Sequence, residues 1–288
     1  MDKVELLNLV PKFLAFYQMA NKSDIDKEKR WTLWEEHYNF AAVPPGEEGK
    51  VIARNLLEGA WESYSEHLLN LEQWEPNQER INHYLAKIKA LLGYDQPINL
   101  VVVYFVGGFE NNPFVAPFDE KRLALCLPIE NGDSDILLSH ELTHIVHSHT
   151  ANLTAKWERT IASTIIQEGL ATQVSKFLVP GDLDEHYIEH KKGWFETCNE
   201  HKWEIIKGTL PFLEDSSSEA VTRFTFGNGT TNNEREVYFV GWEIVQYLLG
   251  EGVSFKELAT IQEGDIPNYL REVYPLFLTN EVVDPSSN

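Results

Sequence analysis

With 288 residues, 43% of them hydrophobic and 12% aromatic, the chain can bury a sizeable core and is too apolar to be disordered. A formal net charge of -21 argues against a nucleic-acid partner, which would need basic patches on the surface. Two cysteines, Cys126 and Cys198, are too few for a disulfide framework, and no run approaches the length of a membrane span, so the expectation is a cytoplasmic protein without a membrane partner.

The segment MDKVELLNLVPKFLAFYQMA mixes acidic residues, Pro11 and Lys12 into what would have to be the core of an export signal. It reads instead as an amphipathic helix over residues 2–20. Apolar spacings of three and four predict further helices over 24–40, 50–73 and 77–92, with a break at AAVPPGEEG. Trp31, Trp34, Trp61 and Trp74 are expected as core anchors of this helical N-terminal region, residues 1–95. INLVVVYFVGG is a β-branched apolar run closed by glycines, and RLALCLPI reads as a second strand after NNPFVAPFDE. Cys126 lies inside that second strand and is expected in the core. Beyond a helix starting near Asp133, residues 155–178 read as a long helix and 185–212 as partly helical. EDSSSE and FGNGTTNNER read as loops, and helices return near 236–249 and 254–262. The expected class is α+β, with residues 96–288 forming a domain of a small sheet and helices, either separate from the N-terminal region or continuous with it.

The chemistry concentrates in LPIENGDSDILLSHELTHIVHSHT, which holds four histidines. His140 and His144 are four apart and project from one helix face, so two imidazoles can grip one ion. Glu141 flanks that ion without needing to ligate it, where a carboxylate can deprotonate a metal-activated water. This is the H-E-x-x-H pattern. Asp133, Ser134 and Asp135 offer a cap and first-turn charge, and Leu138, Leu142, Ile145 and Val146 bury the helix. A catalytic zinc takes three protein ligands, and Glu168 in TIIQEGLATQVSKF supplies the third from a helix long enough to return antiparallel. Gly169 and Ala171 would let those two helix backbones approach closely. Thr172, one turn on, could orient a ligand through its hydroxyl. His147 reads as solvated or as a neighbour of the ligands rather than a ligand, because one helix cannot easily aim three imidazoles at one centre.

HELTH followed by QEGLA resembles the gluzincin metallopeptidases, whose third ligand is a glutamate in an E-G-x-A segment. The likeness is nearest to the catalytic domain of aminopeptidase N relatives and to short predicted zinc-dependent proteases of that clan, over roughly residues 100–250. It implies a zincin-like, thermolysin-type domain holding one Zn2+ per chain and acting on a peptide or protein substrate. REVYFVGWEIVQYLL resembles the family segment whose tyrosine stabilises the oxyanion, which Tyr238 would do here. VGGFENNPF resembles the exopeptidase signature G-x-M-E-N with Phe109 replacing methionine, and Glu110 would then bind a substrate amino group. The large β domain that precedes such catalytic domains has no counterpart in 95 helical residues. Aminopeptidase and oligopeptidase action both stay open, as does a catalytically silent module that binds zinc or peptide. RLALCLPI, if it forms the sheet edge, would receive extended peptide by strand addition.

Overall fold

The computed structural model describes residues 2–110, 112–119, 122–154 and 156–279. The chain is mixed α+β and mostly helical, and it forms two compact units: Met1–Asn82 with Gln96–Ser134, and His83–Asp95 with Asp135–Asn288.

The first unit opens with a strand, β1 (Lys3–Asn8), followed by α1 (Val10–Ala20), α2 (Lys27–His37) and α3 (Glu47–Gln73). Helix α4 (Gln78–Leu92), whose residues 83–92 belong to the second unit, precedes β2 (Asn99–Phe105), β3 (Phe114–Pro117) and β4 (Leu123–Pro128). The single helix expected over residues 2–20 is therefore corrected to a strand and a helix. Lys-Val-Glu-Leu alternates, giving half-buried and exposed side chains in turn, as an edge strand requires. Pro11, which has no amide hydrogen to donate, then starts α1 in its first turn.

The sheet order is β1-β2-β4-β3, with β1 and β4 parallel to β2 and β3 antiparallel to β4. Register pairs Lys3 with Asn99, Leu100 with Leu123 and Phe114 with Cys126. The two central strands are buried almost throughout, which explains why both read as continuous apolar runs. RLALCLPI is thus an interior strand with its ladder bonds taken on both sides, so the expected strand addition to it is corrected. Its edge neighbour β3, inside NNPFVAPFDE, was not foreseen. Cys126 is buried there, and burial pushes its thiol up to about 12, so it stays protonated and inert. Trp34 and Trp61 are buried anchors, whereas Trp31 and Trp74 are only half-buried. Asp133 accepts from Trp74 Nε1 at 2.9 Å and pairs with Arg80.

The second unit is helical: α5 (Asp135–Thr150), α6 (Ile161–Leu178), α7 (Glu185–Ile188), α8 (Trp194–Glu200), α9 (Lys202–Thr209), α10 (Ser218–Thr225), α11 (Glu236–Gly250), α12 (Phe255–Ala259) and α13 (Ile266–Leu278). Helix α6 starts at Ile161 and not near residue 155, because Thr160 caps it by accepting from Ser163 N. Its first amides are further satisfied by the carbonyls of Asp215 and Leu213. Helices α10 and α13 were not expected. Ser217, within EDSSSE, caps α10 by accepting from Ala220 N, and Pro267 opens α13 while Pro275 sits inside it. No helix among the described residues is long and apolar enough to cross a membrane.

Candidate metal centre

Helix α6 is buried along nearly its whole length, between α5 on one side and α11 on another. Ser175 Oγ near its end donates to Ile136 O near the start of α5, so the two helices run antiparallel and His144 comes level with Glu168. Gly169 makes its close backbone approach to α11. A Cβ on Gly169 would lie 2.2 Å from Gly241 O, and a Cβ on Gly241 would lie 2.4 Å from Ile165 O. Only glycine fits at both positions.

This packing brings three donor atoms together. The Nε2 atoms of His140 and His144 lie 3.0 Å apart, and each is 3.4 Å from Glu168 Oε2. A tetrahedral zinc with bonds of about 2.0–2.1 Å holds its ligand atoms about 3.3 Å apart, so spacings of 3.0 and 3.4 Å fit such an ion without rearrangement. Two imidazoles and one carboxylate also match zinc in donor chemistry. Glu141 is buried, with a carboxylate oxygen inside the same 4.8 Å cluster as the two imidazole nitrogens. A metal held there would be flanked by Glu141, while Glu168 is the carboxylate that touches both histidines.

Burial opposes the charged form of Glu168, but His144 and the hydrogen bonds of both histidines outweigh it and hold the carboxyl well below its usual range. Burial likewise opposes protonation of His144, and the carboxylates of Glu168 and Glu141 overcome it, so its pKa is raised. The other oxygen of Glu168 faces Arg159, whose Nη2 is 4.0 Å from Oε1. Arg159 was not singled out from sequence; its signal was a basic residue just before the cap of the Glu168 helix in an acidic chain. Thr172, expected to orient a ligand, spends its hydroxyl on the main chain, donating to the carbonyls of Glu168 and Gly169 at 2.9 and 3.0 Å. An internal helical threonine bonds back to the preceding turn more easily than it reaches a neighbouring carboxylate.

Tyr238 lies in the first turn of α11, half-buried, three residues before Gly241. Burial raises its phenol well above the ordinary value, with Glu168 and Glu141 adding to the rise and Arg235 and Arg159 opposing it. It therefore stays protonated and can donate. Arg235, also unforeseen, caps α11 in the left-handed conformation at φ 56° and sets its guanidinium 5.4 Å from the Tyr238 ring centroid. His147 departs from the expected solvated position: it is fully buried, and neither ring nitrogen has a hydrogen-bond partner among the described residues. His149 is exposed and stacks on Tyr94.

Glu110 belongs to the other unit. Its Oε2 accepts from Gly108 N at 2.5 Å, and its Oε1 is buried without a partner among the described residues. Beside it, Glu130 accepts from Gly107 N and Phe109 N. Burial raises the pKa of Glu130 most, and the nearby Glu110 charge adds to this.

No curated protein and no solved structure matches the chain. A family model described as "Predicted Zn-dependent protease (DUF2268)" does match, over residues 109–267, which span both histidines, Glu141, Glu168 and Tyr238; covering more than half of the chain, it shows that the chain belongs to this family.

Proposed function

We propose that the protein is a zinc metallopeptidase of gluzincin type with a thermolysin-like active-site arrangement, holding one zinc ion per chain on His140, His144 and Glu168. The observation that carries this reading is the triangle of donor atoms at 3.0, 3.4 and 3.4 Å, made by residues from two helices. Zinc in such a site lowers the pKa of a bound water towards neutrality and polarises a substrate carbonyl.

The protein side chains supply the rest. Glu141 accepts the proton of the attacking water and returns it to the leaving amine, which requires a carboxylate that flanks the ligands without joining them. Tyr238, kept protonated by its surroundings, donates a hydrogen bond to the oxyanion of the tetrahedral intermediate. Arg159 restrains the second oxygen of Glu168, leaving the first for the metal. Glu110 is the proposed anchor for a substrate amino group, supported by a carboxylate oxygen that has no partner among the described residues. Aminopeptidase action follows if that anchor operates and oligopeptidase action if it does not. The two free thiols, Cys126 and Cys198, fit a reducing compartment such as the cytoplasm.

The test is peptide hydrolysis by the zinc-loaded protein and its Glu141→Gln variant. The rate is expected to fall by about 10²–10⁴-fold with zinc retained. Undiminished hydrolysis by the variant contradicts the mechanism.

A further inference from the structure

Two loops of the unit that holds the ligands each set an arginine beside Tyr238 or Glu168. Residues 151–160 carry Trp157 and Arg159, whose Nε donates to Thr164 Oγ1 at 3.1 Å while Nη2 lies 4.0 Å from Glu168 Oε1. Residues 226–235 carry Phe226 and Arg235, whose guanidinium carbon lies 5.8 Å from the Phe226 ring centroid and 5.4 Å from that of Tyr238. The rings of Trp157 and Phe226 stack at 5.6 Å and 12°, although 38% and 56% exposed, so they join the two loops in an open aromatic rim.

Hydrogen bonds to carboxylates anchor described residues of both loops. Buried Glu236 accepts from the amides and hydroxyls of Thr230 and Thr231, fixing the turn before Arg235. Glu263 accepts from Thr154 N at 2.7 Å. A left-handed arginine backbone is uncommon, and here it serves to aim a side chain rather than to pair it.

The pairing pattern is what calls for a ligand. Arg30, Arg80, Arg122 and Arg271 each lie within 3.0 Å of a carboxylate oxygen. Among the described residues Arg223 and Arg235 make no ion pair, but Arg223 commits its Nε to Gly229 O at 2.7 Å, and Arg159 has only Glu168, at 4.0 Å. In a chain of net charge -21, two arginines left short of carboxylates beside one site are positioned to receive one from outside. Both arginines also oppose the rise in the Tyr238 pKa, so their positive field reaches the phenol.

We propose that Arg159 and Arg235 form a carboxylate-binding subsite, edged by Trp157 and Phe226, that favours peptides presenting a carboxylate to the metal centre. The subsite rests on the metallopeptidase reading and specifies its substrate class. The carboxylate comes from a free C-terminus or from an acidic side chain, and the two sources share the same bidentate chemistry with guanidinium.

The test is calorimetric titration of zinc-loaded Glu141→Gln protein with four forms of one alanine–phenylalanine pentapeptide, all with a free N-terminus. They are the C-terminal acid, the amide, and amides carrying one internal glutamate or glutamine. The acid is expected to bind about tenfold more tightly than the amide if the C-terminus is read, and the glutamate form about tenfold more tightly than the glutamine form if a side chain is read. Such a preference runs against the overall field of the protein, which repels anionic peptides. In Arg235→Gln the preference should vanish, and Arg235→Lys should keep part of it. Equal affinity for all four forms, no binding of any form, or a preference that survives in Arg235→Gln overturns the subsite. Should Arg235→Gln fail to fold, the comparison on the arginine-intact protein decides alone. Hydrolysis of the same peptides by the wild-type protein reports separately on the metallopeptidase reading.

Discussion

Gly169 and Gly241 meet backbone to backbone, so closely that a Cβ on the first would lie 2.2 Å from the carbonyl oxygen of the second. Gly169 follows the proposed ligand Glu168, and Gly241 is one helical turn after Tyr238. One contact therefore positions both the proposed third ligand and the proposed oxyanion donor. Gly241→Ala should destabilise the protein by about 2–3 kcal/mol through overpacking against backbone that cannot yield. It should also weaken zinc retention, because Glu168 moves with α6. Thermal unfolding and metal content of the variant check this, and wild-type values for both would show that the contact has slack.

Glu236 is a fully buried carboxylate with four donors, the amides and hydroxyls of Thr230 and Thr231. Gly229 lets the loop come close, since a Cβ there would strike the Glu236 carboxyl. Glu236→Ala should cost about 3 kcal/mol by stranding those donors. Limited proteolysis should then cut within residues 226–235, a segment expected to resist cleavage in the wild-type protein.

His147 titrates against folding. Burial, with a smaller push from His144, lowers its pKa from 6.5 to about 3. Between those values the unfolded chain binds a proton that the folded chain refuses. Stability from this group is therefore complete above pH 6.5 and is lost as pH falls towards 3, at up to about 1.4 kcal/mol per pH unit. Since neither ring nitrogen has a hydrogen-bond partner among the described residues, His147→Leu should stabilise by about 1 kcal/mol at pH 7 and flatten the acid limb. Urea denaturation from pH 7 to pH 4 measures both effects, and an unchanged acid limb would mean that other groups govern it.

Glu110→Gln tests the amine anchor. If the carboxylate binds a substrate amino group, the variant should raise KM for peptides with a free N-terminus by about tenfold or more and leave N-acetylated peptides unaffected. Equal effects on both peptide classes would assign Glu110 to its own turn, where it already accepts from Gly108 N.

The candidate metal centre is legible in the sequence because most of it is local. His140, Glu141 and His144 lie within five residues of one helix, and Glu168 shares the return helix with Gly169. What could not be read depends on pairing between distant segments. Strand β1 joins β2 across more than 90 residues, and nothing in its own alternation names that partner. The interior place of β4 depends on β3, which is only four residues long. The partner of Gly169 proved to be α11 because close approach is a property of two surfaces, and a single glycine marks only one of them. Arg159 and Arg235 lie just outside the helices that carry the motif residues, where periodicity is silent.

The most direct test of the account is elemental analysis of the purified protein alongside His140→Ala, Glu168→Ala and Glu141→Gln. The donor triangle predicts one zinc per chain in the wild-type protein, its loss in the first two variants and its retention in the third. A protein that stays metal-free after incubation with zinc, or a Glu168→Ala variant that binds zinc as well as the wild type, would contradict it.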